Sequence, residues 1–211
     1  MHLPDGLVTP ILWIPGWGMT GLWLSVNLGQ IQQTSHGDPS RGIPKAALLT
    51  AAFFLASSIH VPVPPASVHL VLNGLMGVIL GIWTLPAIWV GLLLQAITFG
   101  HGGLTTLGLN TLIMGIPAVL AGWVFRQGRR LGGEGWLPGL AFIAGAMGLG
   151  GAVLLFWGIV LLSLLGTVNA GSERLALQGL VLAHLPLMVL EGLVTAGVVM
   201  FLRRVRPGLI L

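Results

Sequence analysis

Six histidines and five carboxylates, with no cysteine, are what this 211-residue chain offers for metal or acid–base chemistry. Without thiolates, an ion must be held by imidazole, carboxylate or backbone atoms. His2 has the most particular position. In Met1-His2, the α-amine, the backbone nitrogen of residue 2 and the imidazole Nδ1 can close fused rings on one ion, giving three nitrogens from two residues. The backbone nitrogen must lose its proton, which only a strongly binding late transition ion drives near neutral pH, and the resulting set favours a planar site. Planar nitrogen coordination suits Ni2+ or Cu2+ better than tetrahedral Zn2+, and imidazole is a poor donor for Ca2+ or Mg2+. A fourth nitrogen must come from elsewhere in the chain, and His69 is the candidate.

Around this chelate stand supporting residues. His101 and Asn110 lie in the glycine-rich H-G-G-L-T-T-L-G-L-N, whose backbone bend is tolerable at membrane depth only if protein or a cavity encloses it. They are expected to orient the N-terminal segment by hydrogen bonds, as outer partners hold metal ligands. His60, in H-V-P-V-P-P, reads as a structural residue or one that attracts metal at the entry. His36 reads as a solvated loop histidine. His184 and Glu191 fall on one face of the last apolar run, and a membrane-buried glutamate invites a functional hypothesis; packing, or a hydrogen bond to a neighbouring helix or to a partner protein, is the expectation. No G-x-x-x-x-G-K-[ST] motif and no H-E-x-x-H is present, so the chain neither binds ATP by a P-loop nor resembles a zinc protease. It reads as a transporter subunit without its own energy source, not as an enzyme.

The elements that must position these groups are membrane helices. The chain is 55% hydrophobic and 7% charged, with mean hydropathy +0.97. That leaves too little charge to coat a soluble surface. Apolar runs predict about seven transmembrane helices in a single membrane domain spanning 1–211: about 11–28, 44–59, 67–81, 85–99, 109–125, 137–165 and 175–202, with 1–10 as the chelating segment. The third and fourth runs are separated by a tight turn around Trp83 to Pro86. With the N-terminus outside, the cytoplasmic ends hold Arg41, Lys45, Arg126, Arg129, Arg130, Arg203, Arg204 and Arg206, and the outer loops only Arg174, as basic residues favour the inner side. The fold class is therefore all-α and multi-pass, with the C-terminus cytoplasmic. The net charge of +4 reports this topology rather than nucleic-acid binding. Met1 to Pro10 lacks a basic n-region, so no cleaved signal is expected and Met1 keeps its amine. On this topology His2, His60, His69 and His101 all fall at the outer face. Gly77 and Gly81, at GxxxG spacing, read as helix-packing positions.

M-H-L-P-D-G at Met1 to Gly6, S-V-H-L at Ser67 to Leu70, L-L-L-Q-A-I-T-F-G-H-G-G-L-T-T-L-G-L-N-T at Leu92 to Thr111 and H-L-P-L-M-V-L-E-G at His184 to Gly192 together resemble the CbiM/NikM family. These are substrate-binding membrane components of energy-coupling-factor cobalt and nickel transporters. The resemblance runs over nearly the whole chain in the expected order. It implies an N-terminal segment folded back into the bundle and an ion held by Met1, His2 and His69. It also implies residence in the plasma membrane of a prokaryote, with Ni2+ or Co2+ as the transported substrate and no organic cofactor. The implied partners are a transmembrane coupling protein of CbiQ/EcfT type, two cytoplasmic ATPases of CbiO/NikO type and a small auxiliary membrane protein of CbiN/NikN type. The competing readings are an auxiliary or structural membrane subunit and a self-sufficient divalent metal channel.

Overall fold

The computed structural model describes residues 2–34, 38, 40, 42–59, 61–63, 66–164 and 170–210, with backbone alone for 61–63, 66–68, 134 and 170–176. Met1, His36, Arg41 and His60 lie outside the described residues. Seven α-helices are present among them: α1 (Pro10–Thr34), α2 (Ile43–Ser58), α3 (Asn73–Leu80), α4 (Thr84–Phe99), α5 (Leu107–Gly132), α6 (Leu137–Ser163) and α7 (Ala170–Val205). Pro44 and Pro138 occupy the first turns of α2 and α6, where a missing N–H costs nothing. Gly100 closes α4 in the left-handed region and donates its N–H to Gln95 O. Four stretches, Asn73–Phe99, Leu107–Gly132, Leu137–Ser163 and Leu177–Val205, are long and apolar enough to cross a membrane, and α2 is a shorter apolar helix.

The segment expected as a third helix over 67–81 departs from that expectation. Val61–Val63 and Ala66–Val68 pair as a short antiparallel hairpin, β1 and β2, in an otherwise helical protein. The chain then stays non-helical through Leu72, and α3 has only eight residues. The reason is local: H-V-P-V-P-P favours extended backbone and denies amide donors, and Leu72 adopts φ +60°, alone among described non-glycine residues in having positive φ. Gly81, at φ +58°, then breaks the chain so that α4 returns alongside α3. Asn73 meets Met114 and Gly77 meets Ala118, whereas Leu85 comes back to Gly115 and Gly102 to Asn110.

All eight residues of α3 are buried, against α5 and α6 above all. Glycines permit this. A Cβ on Gly77 would lie 1.8 Å from Ala118 O and one on Gly122 would lie 2.0 Å from Gly77 O, while Gly74 sits on Ala144 and Gly145. Gly77 is thus a packing glycine, facing Gly122 rather than acting with Gly81, which serves the turn. Asn73 fixes the start of α3 by donating to Gly148 O (2.9 Å) and Met114 O (3.3 Å). At the other end, Lys45 Nζ donates to Ile79 O (2.9 Å) and Arg126 to Gly77 O (3.4 Å), satisfying carbonyls a short helix leaves open. Arg129 reaches Ile210 O near the C-terminus (3.3 Å). The bundle therefore has a basic end and, opposite it, a histidine end.

Candidate metal site

The N-terminal segment lies against the loop that joins α4 to α5. Asn110 clasps Leu3: its Oδ1 accepts the Leu3 N–H (2.9 Å) and its Nδ2 donates to the Leu3 carbonyl (3.0 Å). Thr106 Oγ1 donates to the same carbonyl (2.6 Å). Two residues further on, Asp5 Oδ1 accepts both the backbone N–H (3.1 Å) and the hydroxyl (2.5 Å) of Thr105. Trp17 Nε1 donates to Thr105 O (2.8 Å) and Thr20 Oγ1 to Gly108 O (2.7 Å), so α1 anchors the loop in turn. The Thr105 hydroxyl, first among the causes, holds the Asp5 carboxyl below its usual range. Gly103 leaves room for this carboxylate, since a Cβ there would stand 1.8 Å from Asp5 Oδ1. The sequence H-G-G-L-T-T-L-G-L-N is thus a cradle for residues 2–5.

With Leu3 fully buried, His2 is carried into the bundle. Its ring stacks on His69 with centroids 5.5 Å apart and planes at 17°, and on His101 at 6.2 Å and 20°. Burial is the main cause that pushes the His2 imidazole well below its ordinary pKa, with the positive charge of the amino terminus adding to it. His2 is therefore neutral at pH 7, the form in which imidazole binds metal.

A hydrogen bond sets the tautomer of His69. His69 Nδ1 lies 3.2 Å from Leu70 O, which can only accept, so Nδ1 carries the proton and Nε2 keeps its lone pair. Beside His2 lies fully buried Gln95. Ser57 Oγ gives its proton to Phe53 O (2.8 Å), so it can only accept from Gln95 Nε2. This turns Gln95 Oε1 toward His2, on which it acts as an acceptor. Neither Oε1 nor His2 Nε2 closes a hydrogen bond to a described residue.

The structure thus brings His2, His69, His101 and Asn110 to one end, with Asn110 and His69 buried. Met1 and His60 lie outside the described residues. Among those described, no group of three His, Asp or Glu side chains is arranged to hold an ion. Gln95, Ser57, Thr105, Thr106 and Asp5 were given no role by sequence reasoning. Gln95 had a visible signal, a lone amide inside L-L-L-Q-A-I-T-F. Away from the site, His184 Nδ1 lies 2.7 Å from Leu180 O of its own helix.

A family model described as "Cobalt uptake substrate-specific transmembrane region" matches residues 2–209. "Cobalt transport protein CbiM" of Sorangium cellulosum is 35% identical, over 100% of this chain and 94% of that one. "Fused nickel transport protein NikMN" of Rhodobacter capsulatus is 30% identical over 100% of this chain but 64% of its own greater length. A crystal structure of a truncated transition metal transporter superposes with a TM-score of 0.84 at 24% identity, covering 97% of this chain and 99% of that one. At that identity the likeness speaks for the fold.

Proposed function

The chain belongs to the CbiM family of cobalt-uptake transmembrane components, and from that premise we propose that it is the substrate-binding membrane subunit of an ATP-driven energy-coupling-factor importer of Ni2+ or Co2+. The observation that carries this reading is the clasped N-terminal segment, which stacks His2 on His69 and on His101. In the proposed site the Met1 amine, the backbone nitrogen and Nδ1 of His2 and Nε2 of His69 provide four nitrogens. Asn110 and Gln95 orient the first residues, with His101 packed behind and His60 at the entry. A planar nitrogen set favours Ni2+ over Co2+.

The segregation of Lys45, Arg126 and Arg129 from the histidine end supports an N-outside, C-inside arrangement with seven crossings in the plasma membrane of a prokaryote. All 211 residues form one membrane domain in this reading. A coupling protein of CbiQ/EcfT type and two ATPases of CbiO/NikO type supply the energy. The fused NikMN relative supports a small NikN-type auxiliary protein as a further partner. Ion capture from outside is followed by release inward when the partners drive the N-terminal plug out of its cradle.

The test is a titration with Ni2+ and Co2+ of purified chain bearing its native Met1, against His2→Ala, His69→Ala and a form with one residue added before Met1. One bound ion with a planar Ni2+ absorption band, lost in the extended form, is expected. Equal binding by the extended form would overturn the chelate. Metal flux through liposomes holding this chain alone would replace the subunit reading with a channel.

A further inference from the structure

We propose that Glu191 is a positioning residue for His69, holding the non-helical segment that carries this histidine from a helix remote in sequence. This rests on the reading of His69 as a metal ligand. Glu191 sits in the middle of α7, fully buried. Its carboxylate reaches across the bundle to accept the N–H of Val71 through Oε1 and the N–H of Leu72 through both oxygens, at 2.8 and 3.0 Å. Those amides belong to the stretch between β2 and α3, two and three positions after His69.

The need for such a device follows from the path of the chain. Residues 69–72 run non-helically into an apolar bundle, where each unpaired amide is costly. Leu72 is held in a left-handed conformation that leucine does not choose unaided. A two-oxygen acceptor that grips consecutive amides fixes the peptide planes on both sides of Val71. The backbone direction at His69 follows from them, and the bond from His69 Nδ1 to Leu70 O ties the ring to this same segment. The opposite end of α3 is held by Lys45 and Arg126. Hence α3 cannot slide to accommodate a loosened start. Glu191 also fastens α7 to the ligand segment, although α7 touches α3 far less than it touches α6.

The experiment compares Glu191→Ala, Glu191→Gln, His69→Ala and the double variant Glu191→Ala/His69→Ala, all with native Met1, by Ni2+ titration and the Ni2+ absorption spectrum. Glu191→Ala is expected to weaken binding by about 10- to 100-fold, the range for lost outer partners of metal ligands. Its spectrum should match that of His69→Ala, because the N-terminal three-nitrogen chelate survives while the fourth ligand is lost. The double variant should bind no more weakly than His69→Ala. Glu191→Gln, which keeps one acceptor oxygen, should fall between wild type and Glu191→Ala, and it carries the test if Glu191→Ala does not fold. Wild-type affinity and spectrum in folded Glu191→Ala or Glu191→Gln, beside an impaired His69→Ala, would overturn the proposal and leave the metal site intact. Wild-type binding by His69→Ala would overturn the site itself, and this proposal with it.

Discussion

Asn110 meets the backbone of Leu3 as a neighbouring β-strand would, one amide oxygen accepting its N–H and one amide nitrogen donating to its carbonyl, at 2.9 and 3.0 Å. A buried side chain thereby fixes the two peptide groups on either side of Leu3, the first of them joining it to His2. Removal of one buried partner leaves groups unpaired, at about 1–3 kcal/mol each. Asn110→Ala should weaken Ni2+ binding by about 10- to 100-fold while preserving the helical circular dichroism spectrum. Isothermal titration checks this, and unchanged affinity would show that Leu3 is held sufficiently by Thr106.

Gly103 supplies a second, steric test. A methyl group there collides with the Asp5 carboxylate, 1.8 Å away, whereas one on Gly18 meets nothing within 4 Å. Gly103→Ala should turn the Asp5 carboxylate off Thr105, weaken metal binding and make residues 2–8 more open to limited proteolysis, with helix content unchanged. Gly18→Ala, in a helix interior, should bind normally and gain up to about 1 kcal/mol of stability.

Gly77 tests the bundle rather than the site. The Ala118 carbonyl stands 1.8 Å from the position a Cβ would take, and this is backbone that cannot rotate away. Gly77→Ala should cost about 3 kcal/mol or more, at or beyond the upper end for overpacking. Thermal melting in detergent is the measurement, and a melting temperature within a degree of wild type would contradict the packing described.

Acid should loosen the metal-free chain in two windows. The folded His2 has a pKa well below 6.5, so as pH falls through 6.5 the unfolded chain takes up a proton that the folded one does not, and stability drops. The folded Asp5 carboxyl also lies below its ordinary 3.8; its contribution is present above that value and is lost as pH falls through the folded pKa. The Asp5 effect should be small, because the group is exposed to solvent. Melting temperature followed from pH 8 to 3 should therefore fall first near 6.5, and His2→Asn should shrink this first step. A profile identical in wild type and His2→Asn would contradict the burial of the imidazole.

Much of the candidate site could be read in the sequence because its signals are local. Met1-His2 is a two-residue chelate, and H-G-G-L-T-T-L-G-L-N announces a tight polar turn inside an apolar chain. The structure adds what local patterns cannot carry. Apolar content over Ser67 to Gly81 looks like a span, yet the two prolines before it and a carboxylate about 120 positions away keep its first third out of helix. Gln95 and Ser57 come from different helices and meet only when α2 and α4 run side by side. Asp5 reads as a surface charge until Gly103 is seen to make room for it.

The eight residues of α3 also set an order of assembly. A helix of that length rises about 12 Å, far short of the roughly 30 Å of a bilayer core, and it would not persist alone. Its supports are Lys45 in α2, Ala118 and Arg126 in α5, Gly145 and Gly148 in α6 and Glu191 in α7. A nascent chain reaches the last of these only when α7 is made. The Asn73–Phe99 stretch therefore cannot settle as α3 and α4 until those later helices are in place. Ribosomes stalled before Glu191 should hold a chain that already spans the bilayer but cannot yet seat His69.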